Sequence, residues 1–261
     1  MPQISSPHNE RVKLVRLLQR QAKTRRQQRR LVLEGLRLVR DVVQAGVPPD
    51  FACYTPDALQ DQAVEALVRG LEAQGVPCFE VPDILMREMS DTETPQGVLG
   101  VFRWPALPVP EAPDLVVVAD GWRDPGNLGT LLRTAAAAGV SVVALTPGTV
   151  DPFNPKTLRA GMSAQYRVPL LSLDWPALAK RFGALPFYLA DAGGELRYDA
   201  VDWTRRAVLV IGGEAHGFAQ AAGGVPHTLI RIPMASGIES LNAAVAASIL
   251  IYAARRHAFE A

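Results

Sequence analysis

The residues best suited to chemistry lie in three short stretches of the C-terminal half. The first is Asp124-Pro125-Gly126-Asn127-Leu128-Gly129-Thr130-Leu131-Leu132-Arg133-Thr134-Ala135. Asn127 stands at a helix start, where its amide can cap orphan N–H groups. Arg133 falls one to two turns later, between Leu132 and Ala135 in an otherwise apolar helix. A guanidinium in that setting is costly if buried, so it calls for an anionic partner or a cleft. Glu214 or Asp124 would serve as a structural partner, and a phosphate would suit the planar fork as well. The residues alone leave both readings open. The second stretch is Gly212-Gly213-Glu214-Ala215-His216-Gly217-Phe218. The third spans residues 234–240 and leads through Leu241-Asn242 into a small-residue helix, Ala243–Arg255.

These loops need rigid elements to hold them. Residues 207–211 and 228–233 are short runs rich in Val, Leu and Ile, and each ends in a glycine-bearing loop. Such runs read as buried strands of a parallel sheet. Loops at the carboxyl ends of parallel strands are where open α/β sheets bind ligands, although plain strand-to-helix turns would also use glycine. Upstream, 114–119 reads as a buried strand, 128–138 as a helix and 140–145 as a second strand, a right-handed parallel crossover. Strands at 168–171 and 187–190, with helices at 155–160 and 175–182, complete an α/β domain over 114–261 with a sheet of about six strands.

Residues 104–113 carry four prolines, Pro105, Pro108, Pro110 and Pro113. Proline fixes φ and removes an amide donor, so this segment reads as an extended linker and the domain boundary. Before it, residues 11–103 read as a small α/β domain. It comprises a basic helix over 12–30, strands at 31–35, 51–54, 78–81 and 97–102, and helices at 36–45, 57–72 and 84–90. Asp57 is the expected N-cap of the second of these helices. Residues 1–10 are polar and read as a disordered tail.

Charge is distributed unevenly. The chain is +1 overall, yet residues 11–40 hold eleven Lys or Arg against the single acid Glu34, so that segment is +10 and the remainder −9. A concentration of one sign suggests a polyanionic partner, and a nucleic acid is favoured over a merely solvated helix face. Lys13, Arg16, Lys23, Arg25, Arg26, Arg29 and Arg30 are the candidate phosphate contacts. Several chemistries lack their signatures. GxGxxG does not follow the 116–119 strand, and GxxxxGK[ST] is absent. The four histidines are scattered, and no Ser-His-Asp or Cys-His spacing stands out. Cys53 and Cys78 lack CxxC spacing, so two buried thiols are expected, with no disulfide and no metal. No run of 18 uncharged apolar residues or signal core appears, which excludes a membrane partner and gives a soluble, cytoplasmic expectation.

Taken together, the segments DPGNLGTLLRTA, IGGEAHGF and IPMASGIESLNAAVAASILIY resemble, in order and spacing, the three motifs of the SpoU (TrmH-like) branch of the SPOUT RNA methyltransferases. Upstream, LVLEGLRLVRDVVQAG and TPQGVLGVF resemble the small substrate-binding domain, similar to RNA-binding ribosomal proteins, found in many rRNA-modifying members. The resemblance covers nearly the whole chain from about residue 10. It implies an α/β fold in which a parallel-sheet domain with a deep trefoil knot follows a small α/β RNA-binding domain. It implies transfer of a methyl group from S-adenosylmethionine to a ribose 2′-hydroxyl of RNA, rRNA being favoured over tRNA, by a homodimer with its active site near the interface. Cofactor contacts would be Gly212, Gly213, Ile232, Met234, Ser240 and Leu241. Catalysis would centre on Arg133, with Asn127, Glu214, Ser240 and Asn242 at motif positions. Because guanidinium stays protonated, Arg133 is expected to act electrostatically and not as a base. One departure is that Gly161 and Ser163 exchange the residues of a Ser-x-Gly arrangement common in the family. A tRNA enzyme, a non-catalytic ribosome-assembly factor and, more remotely, a nicotinamide-dependent enzyme are the alternatives.

Overall fold

A computed structural model describes residues 2–213 and 224–260. The chain forms two compact units, residues 1–105 with 153–159, and residues 106–152 with 160–261.

In the first unit, α1 (Glu10–Arg20) and α2 (Ala22–Gln28) precede β1 (Arg30–Glu34), α3 (Leu36–Gln44), β2 (Phe51–Tyr54), α4 (Gln62–Ala73), β3 (Cys78–Glu80), α5 (Asp83–Met89) and β4 (Val98–Arg103). The sheet order is β1-β4-β2-β3, antiparallel except for the β2–β3 pair. Val12, Val15 and Leu18 of α1 are fully buried against Val32, Phe51, Leu99 and Val101. That apolar stripe sets which side of α1 is left to carry charge. The single helix expected over 12–30 is two helices, because Gln21 is extended at φ −123°, ψ 111°. The helix expected from Asp57 begins instead at Asp61, whose side chain accepts from Ala63 N, after a 3-10 turn at Ala58–Gln60. Residues 2–4, expected to be loose, lie along β3: Ile4 N donates to Glu80 O, Glu80 N donates to Pro2 O, and Ile4 is buried.

Beyond the proline segment come β5 (Leu115–Asp120), α6 (Pro125–Ala137), β6 (Val142–Leu145), α7 (Pro155–Gly161), β7 (Leu170–Ser172), α8 (Trp175–Phe182), β8 (Phe187–Ala190), β9 (Leu196–Arg197), β10 (Ala207–Gly212), β11 (His227–Arg231) and α9 (Ala243–Arg255). The residues of α7 up to Arg159 belong to the first unit, where Phe153 stacks on Trp104 at 4.1 Å and both Nη atoms of Arg159 reach Asp91 Oδ2 at 3.1 Å. Seven parallel strands, one more than expected, form the order β7-β6-β5-β10-β8-β11-β9. The added strand, β9, has only two residues and no hydrophobic run to announce it.

The first three strands of this sheet grow outward on one side of β5 and the later four lie on the other. The junction of β5 and β10 is therefore the topological switch point, where loops diverge and leave a crevice. Val208 and Val210 of β10 face one buried layer while Leu209 and Ile211 face the other with α6 and α9, so both faces are covered and the strand is apolar throughout.

Candidate functional site

At that junction the register puts Gly212 opposite Asp120, the last residues of β10 and β5. Gly213 then donates its N–H to Asp120 O at 2.8 Å. A Cβ on Gly213 would stand 2.7 Å from Gly121 O, so only glycine lets the two loops approach this closely. Trp122, nearly fully buried, donates Nε1–H to Ile211 O at 2.9 Å and locks the first loop to the second strand. Below them the buried carboxylate of Asp120 accepts from Thr146 Oγ1 at 2.5 Å, and Thr146 Oγ1 accepts from Gly121 N at 3.0 Å. Asp120 and Thr146 went unnoticed in the sequence, being a strand-end acid and a threonine with no motif around them.

The crevice holds two cavities. The first, of about 320 Å³, is lined by Ala190, Asp191, Ala192, Ile211, Gly212, Gly213, Ile230, Ile232, Met234, Ser240, Leu241, Ala243 and Ala246. Gly212, Gly213, Ile232, Met234, Ser240 and Leu241 all line it, although they come from two loops far apart in sequence. Its walls combine apolar side chains with backbone at the glycines, a surface suited to a flat, largely apolar ring. Asp191, the one ionisable residue among these, is a site residue that the sequence reading missed. Its only sequence signal is its place at the end of a strand.

The second cavity, of about 360 Å³, is lined by Gly121, Trp122, Arg123, Asp124, Asn127, Gly213 and Ala243, and so shares Gly213 and Ala243 with the first. Asp124, and not Asn127, caps α6: its Oδ1 accepts from Asn127 N at 2.7 Å, with Pro125 at the first helical position. The Asn127 side chain reaches α9 instead, its Oδ1 accepting from Asn242 Nδ2 at 3.2 Å. Asn242 in turn caps α9, its Oδ1 accepting from Ala244 N at 2.9 Å and Val245 N at 3.2 Å. One asparagine thus fixes the start of α9 and the side chain of another helix at once.

Arg133 lies on the exposed face of α6, lines neither cavity, and makes no hydrogen bond or ion pair among the described residues. It is not buried, so burial imposes no need for an ion pair, and it makes none with Asp124, whose carboxylate caps α6. Glu214 falls outside the described residues. Beside Arg133, Thr134 Oγ1 contacts Ser248 Oγ at 3.1 Å and joins α6 to α9. Val245 and Tyr252 on α9 are 48% exposed and Leu241 just before it 37%, and the Tyr252 ring stacks on exposed Phe259 at 5.9 Å.

The N-terminal cations divide into two groups. Lys13 pairs with Glu10, Arg16 with Glu88, and Arg30 with Asp50 at 2.7 Å. Arg25 is buried and donates Nη1–H to Leu18 O at 2.7 Å and Gln19 O at 3.2 Å, which ties the end of α1 to α2. Lys23, Arg26 and Arg29 are exposed, with Arg29 lying 5.4 Å over the Trp104 ring. Burial pushes the Cys53 thiol up to about 12 and Cys78 to about 11, which keeps both as thiols. No cluster of three or more His, Cys, Asp or Glu fit to hold a metal occurs among the described residues, and no helix is long and apolar enough to cross a membrane.

The sequence profile of the SpoU rRNA methylase family matches residues 114–252, and that of the MRM3-like substrate binding domain matches residues 9–100. The chain is 32% identical to the mitochondrial rRNA methyltransferase 3 of Mus musculus, over 96% of this chain and 73% of that protein. It is 30% identical to the 23S rRNA (guanosine(2553)-2′-O)-methyltransferase RlmP of Bacillus subtilis, over 97% of this chain and 98% of that one. The AdoMet-bound rRNA methyltransferase of Sinorhizobium meliloti superposes with a TM-score of 0.83 at 31% identity, covering 98% of this chain and 97% of that one.

Proposed function

The chain belongs to the SpoU rRNA methylase family, and from that premise we propose that it transfers the methyl group of S-adenosylmethionine to a ribose 2′-hydroxyl of ribosomal RNA. One observation carries this reading: the six cofactor residues expected from the motifs line a single cavity, and that cavity shares a wall with one bordered by Asn127. The relatives named as rRNA methyltransferases support the substrate class.

When bound, the cofactor supplies a sulfonium-activated methyl group. The methyl carbon leaves sulfur as it bonds to the 2′-oxygen, and the hydroxyl proton passes to solvent. The chain's contribution is alignment and electrostatics. Ile230, Ile232 and Leu241 supply apolar walls, Gly212 and Gly213 admit close backbone approach, and Asn242 holds Asn127 at the acceptor side. Arg133 stabilises the oxygen electrostatically as it loses its proton. Because Arg133 is exposed on α6 outside both cavities, and Val245 and Tyr252 are exposed on α9, which packs against α6, we propose a homodimer in which these helices pair with a second copy and bring Arg133 to the partner's site. The resemblance further leads us to propose that the C-terminal segment is threaded as a trefoil knot, and that the first unit binds RNA through Lys23, Arg26 and Arg29.

The test is methyl-labelled cofactor with purified protein and rRNA, followed by alkaline hydrolysis. Label in alkali-resistant dinucleotides is expected, since a methylated 2′-oxygen cannot attack its phosphate. Label confined to bases, or none, would refute the reading. Protein that bound rRNA yet neither bound cofactor nor transferred methyl would favour the assembly-factor alternative.

A further inference from the structure

We infer that Arg123 is the binding residue for the phosphodiester on the 3′ side of the target ribose, so that the second cavity receives an internal nucleotide of an RNA chain. The inference rests on the 2′-O-methyltransferase reading and specifies how its acceptor is held. With the methyl donor in the first cavity, the second is the space that adjoins it for the acceptor oxygen, because among the described residues the two share Gly213 and Ala243. The 2′-oxygen is bonded to the carbon next to the one that bears the 3′-phosphate. Any pose that delivers this oxygen to the shared wall therefore carries a phosphate anion to the rim.

At that rim Arg123 is the only cation among the lining residues, is exposed, and makes no hydrogen bond or ion pair among the described residues. The other polar side chains there already have work within the fold: Asp124 caps α6, and Asn127 accepts from Asn242. Arg123 is therefore the one cationic donor among the described lining residues, and its planar fork matches two phosphate oxygens. The backbone on either side of Arg123 is also fixed, by buried Trp122 bonded to Ile211 O and by the helix cap at Asp124. The guanidinium is free while its root is held, which limits the ordering cost of binding to the side chain alone.

Steady-state methyl transfer to rRNA and salt-dependent rRNA binding, measured on the wild type, Arg123→Ala and Arg123→Lys, test this. For Arg123→Ala the KM for RNA is expected to rise about tenfold, the worth of one charge-assisted contact. Its kcat and cofactor affinity are expected to stay near the wild type. The slope of log affinity against log salt should flatten by about 0.7–0.9, one phosphate contact. Arg123→Lys should restore the slope but not the full KM, since lysine is a point charge without the fork. A fall in kcat at constant KM, a loss of cofactor affinity, or an unchanged salt slope would each overturn the assignment. If the wild type bound rRNA without methylating it, the enzymatic reading would fail by itself, and the salt slope would still decide Arg123.

Discussion

In the first unit Lys13, Arg16, Arg25 and Arg30 spend their charge on Glu10, Glu88, backbone carbonyls and Asp50, whereas in the second unit Arg123 and Arg133 meet no partner among the described residues. The first unit owns the dense run of positive charge, yet much of that charge holds α1, α2 and the edge of the sheet in place. The second unit is poorer in cations, and those beside its site are unspent. Availability for an anionic ligand is therefore set by which donors the fold leaves unsatisfied, not by the local count of Lys and Arg. Surface ion pairs are worth little, so the paired surface cations can be recruited by RNA at small cost. The buried Arg25 cannot.

The contrast can be broken at several points. Arg133→Ala should have the largest effect, a loss in kcat of about 100-fold or more, the usual cost of removing a preorganised electrostatic group. Stability and RNA affinity should be kept, as measured by thermal melting and filter binding. Retained turnover would remove Arg133 from the chemistry. In the first unit, Arg25→Ala should cost about 1.5–3 kcal/mol in denaturant unfolding because it strands buried carbonyl oxygens. Lys23→Ala and Arg26→Ala should leave stability unchanged and each flatten the salt dependence of rRNA binding. If Arg25→Ala behaved like those two, the division into structural and available cations would be wrong.

Asn242→Asp sharpens the comparison within the site. The carboxylate can still cap α9, so melting should be little changed, while the lost amide donor removes the Asn242 contact to Asn127 and lowers methyl transfer by about tenfold, one hydrogen bond's worth. Equal activity would make the Asn242–Asn127 contact incidental. The smallest effect concerns the exchanged pair. Ser163 sits at φ +56°, fully buried, with its Oγ unpartnered, while a Cβ on Gly161 would stand 3.2 Å from Gly129 O. Ser163→Gly removes the left-handed strain and the orphan hydroxyl together and should stabilise the protein by about 1 kcal/mol. A lower melting temperature would contradict this.

How much could be read in advance varied with the kind of signal. The strands ending at Asp120 and Gly212 were legible because both sheet faces bury them, which leaves an unbroken apolar run. That residues 212 and 241 line one cavity was expected only through motif resemblance; no pattern of spacing could show that they share a wall. The missed details follow from tertiary contacts. Gln21 breaks the basic helix, and Arg25 ties α2 back to the end of α1 through Leu18 O and Gln19 O, contacts that helical periodicity does not reveal. Asp124 displaces Asn127 as cap because Pro125 presets the first helical turn. The excursion of residues 153–159 into the first unit depends on Trp104 and Asp91, which are distant in sequence. Arg123 and Asp191 gave no signal because a lone charge in a turn is ordinary until a cavity is seen beside it.

The most direct test of the central claim is equilibrium titration of S-adenosylmethionine into the wild type and Ala246→Leu, whose added side chain projects from α9 into the first cavity. Saturable binding to the wild type, and a drop in affinity of more than about tenfold for a variant that still melts like it, is the predicted result. Undiminished binding to Ala246→Leu would place the cofactor elsewhere and contradict the account.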